Sequence, residues 1–265
     1  MAVGYSICCK DCSRAWTRIT ISGMRIWIIA TGNAHKLEEI QARLGADTDL
    51  ILGLKSFVGV PDVIEDALTF EGNAEKKALG LAEWIEGTGR AQAVKVLQEK
   101  APETELTSAE IWSLADDSGL EVDALNGEPG VKSARYAAGP ETEGNAPDSE
   151  NNAKLLKALE NVDDRSGRFR CVLVAARISD VFSQEHTNGV GAIGDAKREV
   201  RFYRGACEGS LLREAAGSQG FGYDPLFVPV GYNQSFGELG EEVKGKLSHR
   251  AKALEAMLQD FPKHT

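Results

Sequence analysis

Apolar residues recur along the chain at spacings that predict alternating strands and helices. Arg25 to Ala30 is a short apolar run typical of a strand buried on both faces, and apolar residues from Ala34 to Leu44 recur at helical spacing. We predict further helices over residues 71–86, 93–100, 151–159 and 251–261, and further strands over residues 111–115, 169–178 and 200–203. The pattern changes near residues 87–110 and 179–199, where we expect surface insertions.

Two adjacent carboxylates, Asp116 and Asp117, directly follow the apolar run 111–115. We expect Ser118 and Gly119 to break the strand and turn the chain there. Because neighbouring strand residues point to opposite faces, one carboxylate should reach a site and the other should be held locally. Buried carboxylates need a cation or hydrogen-bond donors, and Mg²⁺, which prefers oxygen ligands, would meet that need. An Asx turn that closes a hairpin is the alternative.

A second candidate site lies between the first strand and the first helix. Thr31, Gly32 and Asn33 predict a tight turn, and Lys36 lies in the first helical turn. Main-chain N–H groups, the positive end of the helix dipole and a lysine would converge there on an anion such as a phosphate. The segment lacks the full Walker spacing, so a plain strand-to-helix connection is the alternative.

A glycine-rich loop from Gly217 to Phe227 contains Phe221, Tyr223 and Asp224. Such a loop suits a backbone that closes over a flat ring, with an aromatic face for stacking. The alternative is a turn whose aromatic side chains fill the core.

Basic residues of this acidic chain gather near Lys36, at Arg135 and from Lys244 to Arg250. Together with Arg250, His249 is placed to bind a carbonyl or phosphate oxygen. A structural histidine is the alternative at position 249.

The composition excludes several classes of protein. A formal net charge of −10 argues against a general surface for duplex nucleic acid, which needs clustered Lys and Arg. Five unevenly spaced cysteines do not make a disulfide scaffold, so a reducing cytosol, and hence a cytoplasmic location, is the simpler expectation. No apolar run approaches the roughly 18 residues of a membrane span. In residues 1–23 the apolar residues show neither the spacing of a helix nor that of a strand. We expect a flexible extension or a misassigned start there, with a cysteine metal site or a targeting peptide as alternatives.

Six short motifs, which occur in one fixed order, point to a known family. They are Ala30-Thr31-Gly32-Asn33-x-x-Lys36, Thr69-Phe70-x-x-Asn73-Ala74-x-x-Lys77-Ala78, Ala115-Asp116-Asp117-Ser118-Gly119-Leu120, Pro129-Gly130-x-x-Ser133-Ala134-Arg135-Tyr136, Gly220-Phe221-Gly222-Tyr223-Asp224-Pro225, and Lys244 with Ser248-His249-Arg250. In these motifs the chain resembles the inosine/xanthosine triphosphate pyrophosphatase family, enzymes that remove deaminated purine nucleotides. The resemblance covers Met24 to Phe261, and six matches in order are far more specific than any one of them.

The resemblance implies an elongated α/β fold, with a central mixed sheet flanked by helices. Residues 24–265 would form a single bilobed domain with the nucleotide cleft between the lobes, and the protein would be a homodimer that requires Mg²⁺. Glu65 and Asp117 would bind the metal, and Asp117 would also be the catalytic proton acceptor. Taken alone, Glu65 has the alternative of a solvated loop residue. The residues implied to bind substrate are Thr31, Gly32, Asn33, Ala34, His35, Lys36, Ser118, Phe221, Gly222, Tyr223, Asp224, Lys244, His249 and Arg250.

The implied activity is Mg²⁺-dependent hydrolysis of ITP, dITP and XTP to the monophosphate and pyrophosphate, which would cleanse the nucleotide pool. Asp117 would activate a water for in-line attack, while Lys36 and Lys244 would stabilise the leaving pyrophosphate. A 6-keto purine would satisfy donors from Arg250 or main-chain N–H groups, which adenine would leave unpaired. We expect no nucleic-acid or membrane partner. The rival hypotheses are a pyrophosphatase for another modified or pyrimidine nucleotide, and a non-catalytic nucleotide-binding protein.

Overall fold

Six strands form one mixed sheet in the computed structural model, which describes residues 24–44, 49–102, 106, 109–139, 144–179, 181 and 198–262. The strands are β1 (Arg25–Ile29), β2 (Asp49–Gly53), β3 (Glu110–Val122), β4 (Ser166–Arg177), β5 (Val200–Leu211) and β6 (Phe227–Pro229), in the spatial order β2-β1-β3-β4-β5-β6. β1 pairs in parallel with β2 and β3, whereas the pairs from β3 to β6 are antiparallel. The predicted α/β fold with a mixed sheet is confirmed.

Helices cover both faces of this sheet. Those in the described ranges are α1 (Ala34–Leu44), α2 (Phe70–Glu86), α3 (Arg90–Lys100), α4 (Asp148–Ala158), α5 (Phe236–Leu247) and α6 (His249–Asp260). None of these helices has the length and the hydropathy needed to cross a bilayer.

The alternation of side chains along β1 divides the core. Ile26 and Ile28 pack on the face covered by α2 and α3, whereas Trp27 and Ile29 pack on the face covered by α1 and α6. Since both faces are covered, every residue of β1 is buried, as the continuous apolar run predicts. A third cluster joins α4, α5 and the far ends of β3 to β6.

β3 is longer than the sequence pattern predicts, and the expected turn at Ser118 and Gly119 is wrong. The strand continues to Val122, and a left-handed residue, Asn126, lies in the turn that follows it. Gly119 serves close packing, because a Cβ there would lie 2.4 Å from Ser133 Oγ and 2.5 Å from the Gly130 carbonyl oxygen. The alternative of an Asx turn at the two aspartates is therefore also excluded.

β3 also extends past the end of β1. Its pairing with β1 covers Glu110–Leu114, whereas its pairing with β4 runs from Trp112 to Val122. Both aspartates therefore lie where β3 has a neighbouring strand on one side, and the space beyond the end of β1 is left for a site.

Most predicted elements are confirmed to within three residues, but four features were missed. Thr69 caps α2, and its Oγ1 accepts a hydrogen bond from Gly72 N (3.1 Å). The apolar pattern did not predict β2, the second half of β5, β6 or α5. α5 was hidden by its glycines, one of which, Gly240, has a φ of 77° and kinks the helix.

The two expected insertions differ in what the structure describes. α3, in the first, buries Ala93 and Leu97 completely, so this segment contributes to the core and does not lie wholly on the surface. Most of the second, like the extension at residues 1–23, lies outside the described residues. Both ends of the second are attached to Glu86, which accepts hydrogen bonds from Ser179 N and from the Arg198 guanidinium.

Candidate active site

Asp116 and Asp117 lie in the middle of β3 and have partners on opposite faces of the sheet. On the α2 side, Asn73 Nδ2 donates to Asp117 Oδ2 (3.2 Å). On the side of α1 and α6, Lys36 Nζ lies 2.6 Å from Asp116 Oδ1 and Arg250 Nε lies 2.9 Å from Asp116 Oδ2. The predicted division of the pair is confirmed, but the residues that hold Asp116 by ion pairs are distant in sequence.

Asp117 lies at a cavity of about 410 Å³ beyond the end of β1. The predicted metal ligand Glu65 and the predicted phosphate loop line the same cavity. Its lining residues are Ala30, Thr31, Gly32, Asn33, Lys36, Leu54, Val60, Pro61, Asp62, Val63, Glu65, Lys77, Leu81, Asp117, Ser118, Val131, Ala134, Arg135 and Asn145.

Lys77 of α2 lies between the two predicted metal ligands. Its Nζ is 2.8 Å from Glu65 Oε2 and 3.5 Å from Asp117 Oδ1. Burial alone would lower the pKa of Lys77, but Asp117 and Glu65 outweigh burial and raise that pKa above its usual value. Lys77 had no predicted role, although its spacing from Asn73 was a signal. The two residues are four apart on one helix face, and both contact Asp117.

The environment of Asp117 suits a proton acceptor. Burial raises the pKa of the Asp117 carboxyl above its usual value, and the Lys77 ammonium opposes part of that shift. A carboxylate with a raised pKa is more basic than an ordinary aspartate, so it accepts a proton more readily.

The oxygen atoms of Glu65 and Asp117 also suit Mg²⁺. The two carboxylates already share one cation, the Lys77 ammonium. Mg²⁺ is commonly bound by one or two carboxylates, with water and substrate phosphates as its other ligands. Within the described ranges, no group of three or more His, Cys, Asp or Glu side chains is placed to hold a metal by itself. The two carboxylates therefore fit a magnesium ion whose other ligands are water or phosphate oxygens.

The turn before α1 has the hydrogen bonds of a capped helix start. Asn33 Oδ1 accepts from Lys36 N (3.2 Å), and Thr31 Oγ1 accepts from Asn33 N (3.2 Å). Thr31, Gly32, Asn33 and Lys36 all line the cavity of about 410 Å³ at Asp117. We call it the larger cavity, because it is the larger of the two cavities that form the candidate site. The N-terminus of α1, where main-chain donors lack helical partners, thus borders the cavity as a phosphate-binding loop requires.

Acidic and basic side chains alternate in a buried cluster beside this turn. Arg250 donates to Asp116 and to Glu39. Lys244 Nζ lies 2.8 Å from Glu39 Oε1 and 2.7 Å from Asp224 Oδ2. Burial alone would raise the pKa of Asp116, but Arg250 above all holds it well below its usual range. The cluster joins α1, β3, α5 and α6 and fixes their relative positions.

A second cavity, of about 140 Å³, adjoins the first and combines aromatic with polar residues. A narrow aromatic cavity beside a cationic one suits a flat heterocycle attached to a phosphate chain. The two cavities share Asn33, Lys36, Ser118, Ala134 and Asn145. The smaller one is also lined by Gly119, Ser133, Ala146, Asp148, Asn151, Phe169, Phe221, Gly222, Tyr223, Asp224, Lys244, His249 and Arg250.

His249, the first residue of α6, presents an uncharged ring to the smaller cavity. Its ring stacks on Phe169, with 4.8 Å between centroids and 16° between planes. Burial first, and then the charge of Arg250, hold the pKa of His249 well below its usual value. Within the described residues, His249 Nδ1 is buried without a hydrogen-bond partner. The close approach of α6 to the sheet requires Gly205, where a Cβ would lie 2.0 Å from the His249 carbonyl oxygen.

The glycine-rich loop supports both of its sequence interpretations, one for each aromatic residue. Tyr223 is buried in the core and its hydroxyl donates to the Ser133 carbonyl (2.9 Å). Phe221 is only half-buried and lines the smaller cavity, and its N–H donates to Asp224 Oδ2 (2.9 Å). Phe221 is therefore the aromatic ring of this loop that borders the smaller cavity.

Two side chains of α4 hold the same loop at Gly222. Asp148 Oδ2 accepts a hydrogen bond from Gly222 N (2.6 Å), and Asn152 Nδ2 donates to the Gly222 carbonyl (3.0 Å). Both main-chain groups of one loop residue are thus fixed by a single helix. Together with the bond from Phe221 N to Asp224, these two bonds restrain the loop at Phe221.

All but two of the predicted substrate-binding residues line one of the two cavities. The exceptions are Ala34 and His35, and the His35 ring stacks on Phe221 with 5.3 Å between centroids. A third cavity, of about 690 Å³, lies beside Leu68, Arg170 and Arg204 and contains none of the predicted site residues. The substrate roles of all these residues stay predictions.

The amino-acid sequence is similar to a family model and to known proteins. A model described as the Ham1 family matches residues 27–260. A dITP/XTP pyrophosphatase of Opitutus terrae is 41% identical over 233 residues, which cover 85% of this chain and 93% of the relative. A dITP/XTP pyrophosphatase of Desulforamulus reducens is 39% identical over 234 residues, covering 88% of this chain and 93% of the relative.

Solved structures agree with the sequence comparisons. A HAM1 protein from Coxiella burnetii has a TM-score of 0.66 and 31% sequence identity, covering 91% of this chain and all of that one (100%). The Staphylococcus aureus Ham1 protein has a TM-score of 0.63 and 30% identity, covering 89% of this chain and 97% of that one.

Proposed function

Because this chain belongs to the Ham1 family, we propose that its two adjoining cavities bind and hydrolyse non-standard purine nucleoside triphosphates, namely ITP, dITP and XTP. The products are the nucleoside monophosphate and pyrophosphate, and the role is to cleanse the nucleotide pool. The observation that carries the proposal is the junction of an aromatic cavity with one that contains three cations and the Glu65–Asp117 pair.

The proposed site holds the base in the smaller cavity and the triphosphate in the larger one. The base would stack on Phe221, and the α-phosphate would lie near Ser118 and Lys36, which line both cavities. The two outer phosphates would then lie toward Lys77. Lys244 is buried between Asp224 and Glu39 at the base end. We therefore assign Lys244 to positioning at the base end, in place of the expected role on the leaving pyrophosphate.

Glu65 and Asp117 would hold Mg²⁺ together with the phosphates. Bound there, Mg²⁺ supplies neutralisation of phosphate charge and a lower pKa for a water molecule. Asp117 accepts a proton from the attacking water, whose oxygen forms a bond to the α-phosphorus as the bond to the bridging oxygen breaks. Lys36 stabilises negative charge on the phosphates, and the Lys77 ammonium, displaced from its two carboxylates, becomes available to the leaving pyrophosphate.

Selection for a 6-keto purine follows from the direction of hydrogen bonding. Arg250 is held by Asp116 and Glu39, so any N–H that its guanidinium presents to the base is fixed in place. The O6 atom of hypoxanthine or xanthine accepts from such a donor. The N6 amino group of adenine would leave a buried donor unpaired, which strongly disfavours binding.

We propose a cytoplasmic homodimer whose partner is the small-molecule nucleotide, with neither nucleic acid nor membrane as a partner. Residues 24–265 form a single bilobed domain in this proposal, with the nucleotide cleft between its lobes.

The test is pyrophosphate release with Mg²⁺ from ITP, XTP, dITP, ATP, GTP and dUTP in parallel. Fast release confined to the inosine and xanthosine nucleotides is the expected result. Activity confined to another base would keep the mechanism and overturn the specificity. No release from any nucleotide, combined with tight nucleotide binding, would favour a non-catalytic nucleotide-binding protein.

A further inference from the structure

Among the described residues, Arg135 differs from the other two cations of the larger cavity in having no carboxylate partner. Lys36 is paired with Asp116, and Lys77 is paired with Glu65 and Asp117. Within the described residues, the half-buried Arg135 side chain makes one hydrogen bond, which Nη2 donates to the Glu65 main-chain carbonyl (3.0 Å). A guanidinium has five N–H donors, so most of its donors and its full positive charge remain unmatched.

From this imbalance we infer that Arg135 binds the outer phosphates of the triphosphate, and hence the leaving pyrophosphate. The inference rests on the proposed function, which it deepens. Arg135 lines the larger cavity and does not line the smaller one, so it lies away from the base. An arginine offers a planar fork of donors that matches two oxygens of a phosphate at once, which a lysine does not.

The local fold supports this role. Arg135 ends a short 3-10 helix, Gly130–Arg135, that lies against β3 through the hydrogen bond from Leu120 N to Ser133 Oγ (2.9 Å). Its bond to the Glu65 carbonyl fixes the guanidinium from a second direction and connects it to the segment that carries a proposed metal ligand. A cation held at two points is preorganised for an anion, because little side-chain entropy is lost on binding.

The test compares two substitutions at one position with a matched control. Arg135→Ala removes all donors, whereas Arg135→Gln keeps an amide donor for the Glu65 carbonyl and removes the charge. The control is Lys132→Gln, an exposed cation of the same short helix that lines the third cavity. Each protein is titrated calorimetrically with inorganic pyrophosphate and with IMP, at saturating Mg²⁺ and with EDTA, and KM and kcat for ITP are measured in parallel.

We expect both Arg135 variants to bind pyrophosphate roughly 10- to 100-fold more weakly, as for loss of charge-assisted hydrogen bonds, with KM for ITP raised by a similar factor. IMP binding should change less than about twofold, and Lys132→Gln should match the wild type in every titration.

Pyrophosphate binding by Arg135→Gln within twofold of the wild type would overturn the inference and leave Arg135 as an anchor of the Glu65 segment. Equal weakening of pyrophosphate and IMP would overturn it as well. A wild-type protein that releases no pyrophosphate from any nucleotide would contradict the proposed function, while the titration would still report on Arg135.

Discussion

Two adjacent aspartates of β3 have opposite electrostatic surroundings. Asp116 is fully buried and paired with Arg250 and Lys36, so its pKa is held well below the usual range. Asp117 borders the larger cavity and shares one lysine with Glu65, and burial raises its pKa. Since a strand sends successive side chains to opposite faces, one aspartate stabilises the fold while its neighbour is available for chemistry.

Replacing Asp117 by asparagine is expected to abolish most turnover and to preserve nucleotide binding. An amide cannot accept the proton of the attacking water, and loss of a general base typically costs 10²- to 10⁴-fold in rate. Pyrophosphate release and ITP binding by calorimetry are the two measurements. Near-normal turnover would remove Asp117 from its proposed role.

The neighbouring variant, Asp116→Asn, supplies the control for that experiment. It would leave the buried Arg250 with one carboxylate partner fewer, so the free energy of unfolding should fall by roughly 3 kcal/mol in urea titrations. Asp117→Asn should cost much less, because burial already disfavours the charged form of that carboxyl. Equal stability losses in the two variants would contradict the division of roles.

His249 is expected to make the protein less stable in mild acid. Its pKa lies well below the usual value in the folded protein, whereas the unfolded chain titrates near about 6.5. As pH falls below about 6.5, the unfolded state gains a proton that the folded state does not, so the free energy of unfolding falls by about 1.4 kcal/mol per pH unit from this group. His249→Phe keeps a ring against Phe169 and removes this contribution. Urea titrations of both proteins between about pH 7.5 and pH 5 check the sign, and parallel pH dependences would contradict it.

At the scale of residues, the sequence indicated which side chains belong to the candidate site, but it did not indicate which of them contact one another. The family resemblance singled out Glu65, and the local sequence singled out Asp117 and Lys36, and the structure places all three at one cavity. The bridge that Lys77 makes between Glu65 and Asp117 depends on where α2 packs against β3, which no local pattern encodes. Arg135 was noticed only as a cation, because its isolation from carboxylates is a property of the folded cavity.

At the scale of elements, α4 acts on the site through the loop that it holds. Asp148→Ala and Asn152→Ala should each raise KM for ITP by about 2- to 10-fold with little change in kcat, as expected for the loss of one hydrogen bond. The physical reason is that a freer Gly222 no longer fixes Phe221 for stacking. Ser149→Ala, an exposed neighbour on α4, is the control. Steady-state kinetics check the effect, and an unchanged KM in the double variant would contradict it.

Element prediction succeeded where one period dominates and failed where glycine has a tertiary purpose. β1, α1 and α6 have apolar spacings that reflect burial directly, so their bounds followed from the sequence. Gly119 was interpreted as a turn residue, but it belongs to a strand that packs closely against Ser133 and Gly130. α5 was missed for a similar reason, since its glycines weaken the helical pattern that packing nevertheless stabilises.

At the scale of the whole molecule, the site draws on both halves of the sheet. The parallel half contributes the turn before α1 and the start of α2, and the antiparallel half contributes the glycine-rich loop and α6. The buried cluster of Asp116, Arg250, Glu39 and Lys244 connects these halves. A set of buried ion pairs therefore holds together elements from both halves of the sheet.

Removal of divalent metal with EDTA is expected to stop pyrophosphate release without unfolding the protein. The Lys77 ammonium continues to neutralise Glu65 and Asp117 when no metal is bound, so circular dichroism and Tm should stay close to their values with Mg²⁺. Lys77→Met leaves the two carboxylates unscreened. Its metal-free Tm should therefore be lower, and Mg²⁺ should raise that Tm by more than it raises the Tm of the wild type. An equal response to Mg²⁺ in both proteins would contradict this account.

The extension of β3 past the end of β1 has a consequence for amide hydrogen exchange. Main-chain groups of successive strand residues point alternately to the two neighbouring positions in a sheet. The Leu114 carbonyl accepts from Ala30 N, and the Leu120 N–H donates to Ser133 Oγ, so both groups point away from β4. Asp116 and Ser118 lie at alternate positions between them, and their amides therefore point to the same side, where β1 has ended. The amides of Asp117 and Gly119 bond toward β4 and should exchange slowly with or without ligand. Those of Asp116 and Ser118 should exchange quickly in the free protein and slowly with nucleotide bound, so that alternate residues of a single strand report whether the cleft is filled.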